Sequence, residues 1–451
     1  MADLTGRLAS PVTAVGAVYA ASGFALASWG SRLPAFQSDS RLSPDELGLV
    51  LLALSAGTVG ALLLAGEVVY RLGTAWAMRL GTTVCTVSLV AMGARPSGLP
   101  LVVAVVGIGA GNGLCDVAMN VQGAATGRQR ERLRAARCGP PDARRDRRDR
   151  DTRGRGLMPR LHATWSLGTV LGSAAGAVSA AAGVKVEVHL PAVGVVLFVV
   201  VTLATAKFTH DPDDEELRRR RLVHHWSGAL VEWRNRRTIA LGLLALGAAF
   251  AEGSANEWLT LGLVDGYHLD HARAAAGLGL FVVAMTATRF GAGALRRARP
   301  ERLLLGGACL VVVGTAVLLG GAELPGHPRW PALLFGGTGI LLWGAGAALG
   351  VPLAIAAAAD DERAAPARVS VVSTISYASF LAGPPLLGAL AESTGYLLPL
   401  GLAPVVMISA FALAAVLHPL HLSMRAAAVS TSRHGEPVLT RPLSPPARRG
   451  R

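Results

Sequence analysis

The chain carries a succession of apolar runs about 20 residues long, each bounded by charge, proline or a polar cluster. At 1.5 Å rise per residue, such a run crosses a hydrocarbon core of ~30 Å. Helices of soluble cores are usually shorter and carry a polar stripe. Twelve runs can be marked, near 11–33, 47–69, 76–94, 99–124, 161–183, 188–206, 238–262, 272–295, 303–321, 331–357, 368–391 and 396–418. Composition agrees: 52% of the 451 residues are hydrophobic and 16% are charged, against roughly a quarter charged in ordinary soluble domains. A disordered, fibrous or disulfide-stapled secreted chain is excluded. The expected fold is an all-α polytopic membrane protein with 12 transmembrane helices, the first of them an uncleaved span.

Basic residues set the expected orientation. With both termini in the cytoplasm, 37 of the 43 Lys and Arg fall on inner connections and inner helix ends. The other six are Arg32, Arg41, Arg95, Lys185, Arg273 and Arg329. The positive-inside rule therefore favours both ends inside. Segment 125–160 holds 13 Arg against five acids, and 207–237 and 419–451 supply most of the remaining positive charge. No aromatic residues interleave the Arg runs, so contact with anionic lipid is a better reading than nucleic-acid binding. Residues 132–156 and the tail from His421 have no apolar period and are expected to be disordered. DPDDEELRRRR, beginning at Asp211, places acids before bases as a helix dipole favours. It is expected to form a cytoplasmic linker helix. The units are then a six-helix half over 11–206, a linker over 207–237, a second half over 238–418 and a tail over 419–451.

A duplicated chain should repeat its loops. Gly60 to Gly81 reads GALLLAGEVVYRLGTAWAMRLG, and six helices later Arg289 to Gly307 reads RFGAGALRRARPERLLLGG. Each has glycine-rich helix ends around a tight basic turn. The first resembles the signature loop of the major facilitator superfamily, with Arg71-Leu72-Gly73 in place and Tyr70 where an Asp is usual. Glu67, one turn earlier, is the substitute acid, so Glu67, Arg71, Gly73 and Arg289 form the expected gating loop. GNGLCDVAMNVQG (from Gly111), LMPRLHATWSLGTVLGSAAGA (from Leu157), AEGSANEWLTL (from Ala251) and AGPPLLGALAESTG (from Ala382) resemble bacterial inner-membrane facilitators near the fucose permeases. The resemblance covers residues 12–418 and departs from that group in the long Arg-rich loop. It implies two pseudo-symmetric six-helix halves and a solute transporter, often proton-coupled, with a site near the midplane.

Ionisable residues at bilayer depth need a partner or a wet cavity. Asn112, Asp116 and Asn120 share one stripe of the fourth helix. Counted from Leu99, Asp116 lies ~25 Å in, toward the cytoplasmic half. This stripe is expected to bind solute or exchange a proton, with Asn120 as a hydrogen-bond donor; an interhelical clamp is the alternative. His162 is either a proton partner or a helix-start cap, and Trp165 either stacks on a sugar-like ring or packs. In the seventh helix Glu252 and Asn256 share a face. Counted from Thr238, Glu252 lies ~21 Å in, in the outer half. Glu257 and Trp258 are expected at the outer interface, Glu257 wet and Trp258 in the aromatic belt. Arg289 either pairs with an acid or snorkels, and snorkelling is preferred. Gly168, Gly172 and Gly176 form a close-packing stripe on the fifth helix. That stripe lacks the proline of the antiporter-type motif, which weighs against drug efflux.

The functional expectation is a secondary active transporter of a small solute, proton-coupled and sugar-like, acting as a monomer by alternating access. A drug or metabolite efflux antiporter is the alternative, and a receptor or enzyme a lesser one. No H-E-x-x-H, G-x-S-x-G or Walker A motif occurs, so no catalytic residue, metal or cofactor is expected. The orientation is testable: a cysteine placed in loop 125–160 should resist an impermeant thiol reagent added to intact cells. Efficient labelling there would reverse the topology.

Overall fold

The computed structural model describes residues 11–138, 157–208, 231–291, 299–324, 330–359 and 364–417. Among the described residues the regular elements are helices. Span 1 is Pro11–Ser31, followed by the short helix Leu33–Ser40. Spans 2 and 3 share one 49-residue element, Pro44–Met92, broken at Gly73. Span 4 lies in Leu99–Cys138, span 5 is Leu157–Ala181 and span 6 is Val186–Thr205. Spans 7, 8 and 9 are Arg236–Tyr267, His271–Gly291 and Pro300–Ala322. Span 10 runs through Trp330–Ala347 and Gly350–Ala358, span 11 is Ala365–Thr394 and span 12 is Leu402–Leu417. Ten helices among the described residues are long and apolar enough to cross a membrane. The kinked helix counts once there yet supplies two spans, and Leu157–Ala181 is outside that count, so the layout is twelve spans.

Gly73 ends span 2 because its φ of 77° lies in the left-handed region, which costs glycine nothing and other residues more. Where disorder is expected from residue 132 to 156, span 4 instead stays helical to Cys138, and span 5 begins at Leu157. The segment after Ala124 is built largely from Ala, Gln, Glu, Leu and Arg, all strong helix formers. Low complexity there did not mean loss of helix. Residues 139–156, most of the expected linker helix and the tail lie outside the described residues.

Lipid tails are as apolar as leucine, so helices in a bilayer associate through close backbone approach rather than a hydrophobic drive. The glycines achieve this. On span 5, Gly168, Gly172 and Gly176 face Ala20, Phe24 and Ser31 of span 1, and the Ser28 hydroxyl donates to the Gly172 carbonyl at 3.3 Å. A methyl at Gly81 of span 3 would stand 2.8 Å from the Gly111 carbonyl of span 4. Six helices later, methyls at Gly307 and Gly314 of span 9 would stand 2.8 and 2.7 Å from the Gly346 and Gly339 carbonyls of span 10. The two halves thus repeat one packing device at equivalent helix pairs. Exposed Leu63, Leu64, Val87 and Val416 belong to an apolar outer belt, the surface a bilayer requires.

The halves touch at the end of the bundle away from the chain termini, here the distal end. Methyls at Gly48 and Gly388 would each lie 2.7 Å from a carbonyl of the other half, those of Pro384 and Pro44. Gly30 of span 1 meets the Asn256 backbone of span 7, and the Thr260 hydroxyl donates to the Gly30 carbonyl at 3.2 Å.

Gly172→Val should push spans 1 and 5 apart, since the first added carbon already collides with the Phe24 carbonyl. Overpacking of this kind costs about 1–3 kcal/mol. The unfolding midpoint of the detergent-purified protein should fall, while Gly60→Ala, which meets nothing within 4 Å, should leave it unchanged or higher.

Candidate functional site

A cavity of about 330 Å³ lies between the halves, within the size range of small-molecule sites. Its wall is mainly apolar and aromatic, with Trp29, Trp165, Tyr377 and Phe380 among the lining side chains. Five residues singled out from sequence reach it: Asn112 and Asp116 of span 4, Trp165 of span 5, and Glu252 and Asn256 of span 7. The i, i+4 spacing on each helix aims both members of a pair at one side.

Asn120 and His162 stand behind the cavity wall. The Asn120 amide donates to the Asp116 carbonyl at 2.8 Å and to its carboxylate Oδ1 at 3.2 Å. Its own Oδ1 accepts from the fully buried Tyr19 hydroxyl at 2.8 Å. Tyr19 in turn packs edge-on against the ring of exposed His162, with centroids 5.5 Å apart. A hydrogen-bonded column therefore runs from the cavity carboxylate through Asn120 to Tyr19, whose ring packs against the imidazole. His162 sits in the second turn of its helix, not at the start, because that helix begins at Leu157.

Glu252 differs from the expectation in depth. Its helix has 32 residues, ~48 Å, well over the ~30 Å core. Counting from Thr238 therefore places it too far out. From Tyr267 it lies ~22 Å in, close to the ~25 Å of Asp116 from Leu99. The two carboxylates line one cavity. Arg289 does not snorkel: its guanidinium donates to Glu252 Oε2 at 2.9 Å and to the Ala348 carbonyl at 3.1 Å. With the two side chains 25% and 15% exposed, a direct partner satisfies both charges better than a stretch to the headgroups.

The expected gating bridge is local. Arg71 pairs with Glu67 of its own helix at 2.6 Å, and both are exposed; such an i, i+4 pair stabilises by only ~0.3–0.5 kcal/mol. Of the second copy, Arg289 to Gly307, residues 292–298 lie outside the described residues.

Sequence reasoning placed Glu257 and Trp258 at the outer interface, whereas the structure turns both inward. Glu257 lines the cavity, with no hydrogen-bond or ion-pair partner among the described residues. Trp258 has no exposed surface and packs near the Tyr396 ring at 6.0 Å. The cause is the central position of span 7, whose most apolar stretch is 78% buried, against 33–61% for the other candidate spans. A helix enclosed on all sides turns an apparent interfacial pair inward. Trp29 and Tyr377 also reach the cavity, and nothing in their local sequence separates them from packing aromatics.

No family model matches the chain. It is 26% identical over 396 residues to the uncharacterized transporter y4wD of Sinorhizobium fredii, covering 86% of this chain and 93% of that one. It is 24% identical to an uncharacterized MFS-type transporter of Yersinia pestis, over 86% and 91% of the two chains. Its fold is similar to that of a mutant form of the nucleoside transporter NupG, with TM-score 0.67 and 13% identity over 93% of this chain and 100% of that one. It is also similar to a bacterial homolog of the human lysosomal transporter Spinster in an inward-facing, occupied conformation, with TM-score 0.65 and 13% identity over 92% and 97%. In sequence and fold the chain is similar to transporters of the major facilitator superfamily. This facilitator is a multi-pass membrane transporter, not an enzyme. Its likeness to the fucose-permease branch rests on the sequence motifs alone.

In this facilitator Arg289→Met should strand Glu252 as a buried, unpaired charge. Stability should fall by roughly 1–3 kcal/mol, read as a lower unfolding midpoint. Adding Glu252→Gln should recover most of the loss, because the double variant leaves no unpaired ion.

Proposed function

We propose that this facilitator carries a small polar solute by alternating access through the central cavity, and that proton exchange at Asp116 drives it. The observation that carries the reading is the position of Asp116. Its carboxylate opens on the cavity and is held by neutral groups alone, chiefly the Asn120 amide. A carboxylate with no committed cation can alternate between charged and neutral forms as its surroundings change. Asn112 and Asn256 offer hydrogen bonds to the solute from the two halves, so solute and proton meet in one chamber.

The orientation proposed from the basic residues puts the closed distal end outside and the cavity in communication with the cytoplasm. The distal contacts between halves support this, since they are the ones that would have to part for the cavity to face outward. Membrane residence in a bacterial cytoplasmic membrane and action as a monomer belong to the same reading.

Proteoliposomes loaded with a pH dye can be screened with sugars, amino acids, nucleosides and amines for solute-dependent proton flux. With any solute found, Asp116→Asn should abolish accumulation driven by a pH gradient, while exchange between compartments of equal pH survives. Normal gradient-driven accumulation by the variant would reduce Asp116 to a structural clamp.

A further inference from the structure

The charges around the cavity do not balance. Three carboxylates line it, those of Asp116, Glu252 and Glu257, and no Lys, Arg or His is among the lining residues. Arg289 lies behind the wall and is committed to Glu252 and to the Ala348 carbonyl. Asp116 has an amide for a partner. Glu257 has none among the described residues, although it is packed within the span-7 core and aimed into the chamber. An ionised carboxylate so placed costs several kcal/mol unless a counter-charge arrives. The aromatic lining adds a second and independent preference. Trp29, Trp165, Tyr377 and Phe380 face the same space, and the negative face of an aromatic ring attracts a cation.

We propose that the solute is an organic cation, a compact apolar body bearing a protonated amine or quaternary ammonium, whose charge is received by the acids of the chamber, Glu257 foremost, against the aromatic wall. The inference rests on the transporter reading and narrows it to one chemical class. An anion would meet three carboxylates and no available base, and would be excluded. A neutral polyol would leave Glu257 uncompensated and would find mostly carbon on the wall. The two acids also come from different halves, Asp116 from span 4 and Glu257 from span 7. The chamber therefore presents negative charge from both halves.

Matched probes isolate the charge. Benzylammonium and benzyl alcohol differ by ammonium against hydroxyl, and choline and 3,3-dimethylbutan-1-ol by quaternary nitrogen against carbon. Each, with phenylacetate as the anion, is titrated into the purified full-length protein, following tryptophan fluorescence and the unfolding midpoint. Saturable binding of at least one cation is expected, about tenfold or more tighter than its neutral partner. Glu257→Gln should weaken that cation about tenfold without lowering the ligand-free midpoint. If that variant does not fold, Asp116→Asn provides the same comparison. Equal affinity for a cation and its neutral partner, tightest binding of phenylacetate, or no cation binding stronger than about 10 mM would overturn the proposal. Flux separates the two readings. A cation that binds in this way but drives no transport in proteoliposomes removes the transport reading and leaves the cation site standing. A neutral sugar that is transported while cations fail to bind removes the cation proposal and leaves the transporter.

Discussion

An ionised carboxylate inside a bilayer has to find a cation, a set of hydrogen bonds or water, and the three acids at the centre of this facilitator meet that demand in three ways. Glu252 has Arg289 at 2.9 Å. Asp116 has the Asn120 amide, itself held by Tyr19. Glu257 has only the cavity. Each solution obliges its helix to present one face to the interior. Spans 4 and 7 must therefore flank the chamber, and span 7 has to be enclosed along most of its length. The placement of the remaining helices is subordinate to keeping those faces away from lipid.

Glycine makes that arrangement compact. Where two backbones approach through Gly81 and Gly111, or through Gly314 and Gly339, there is no side chain to hold the helices apart. Dispersion and polarised backbone contacts then replace the hydrophobic drive that lipid removes. The same device closes the distal end, at Gly30, Gly48 and Gly388. A closure built from van der Waals contact and the Thr260–Gly30 hydrogen bond can part without exposing a buried ion. This is the kind of seam that a rocking transporter requires. By contrast, the glycine contacts within each half recur along the helices, at Gly168, Gly172 and Gly176 and at Gly307 and Gly314.

Much of this is legible in the chain. Length and hydropathy are properties of single segments, so the twelve spans can be marked without knowing what packs on what. Spacing likewise puts Asn112 with Asp116, and Glu252 with Asn256, on common faces. Depth and enclosure are what a single chain conceals. A count along a 32-residue helix depends on which end meets the membrane boundary, and the depth of Glu252 changes when the count begins at Tyr267. Glu257 and Trp258 look interfacial by composition, because an acid beside a tryptophan usually is. Only the neighbours of span 7 show that this turn of helix is wrapped by other helices. The helix beyond Ala124 is hidden for another reason. Arg-rich low complexity reads as disorder, although its residues are individually strong helix formers. Arg289 turns on a choice between two partners that spacing cannot weigh, the headgroups and an acid on the preceding span.

The pairing of Arg289 also decides which acid is suited to carry a proton. Protonating Glu252 would leave the guanidinium facing a neutral acid in a partly buried site, so the proton would have to displace an ion pair. Arg289 keeps the Ala348 carbonyl as a second acceptor, but a neutral carbonyl does not replace a counter-ion. Asp116 carries no such obligation. The Asn120 amide can donate to a carboxylate or to a protonated acid's carbonyl oxygen, and Tyr19 bonds to Asn120 rather than to Asp116. Loading Asp116 therefore strands no charge and disrupts no network. Glu252 and Arg289 are better understood as a fixed strut between spans 7 and 8. On the proposed proton-coupled reading the titrating acid is Asp116 of span 4, which Asn120 joins by hydrogen bonds to Tyr19.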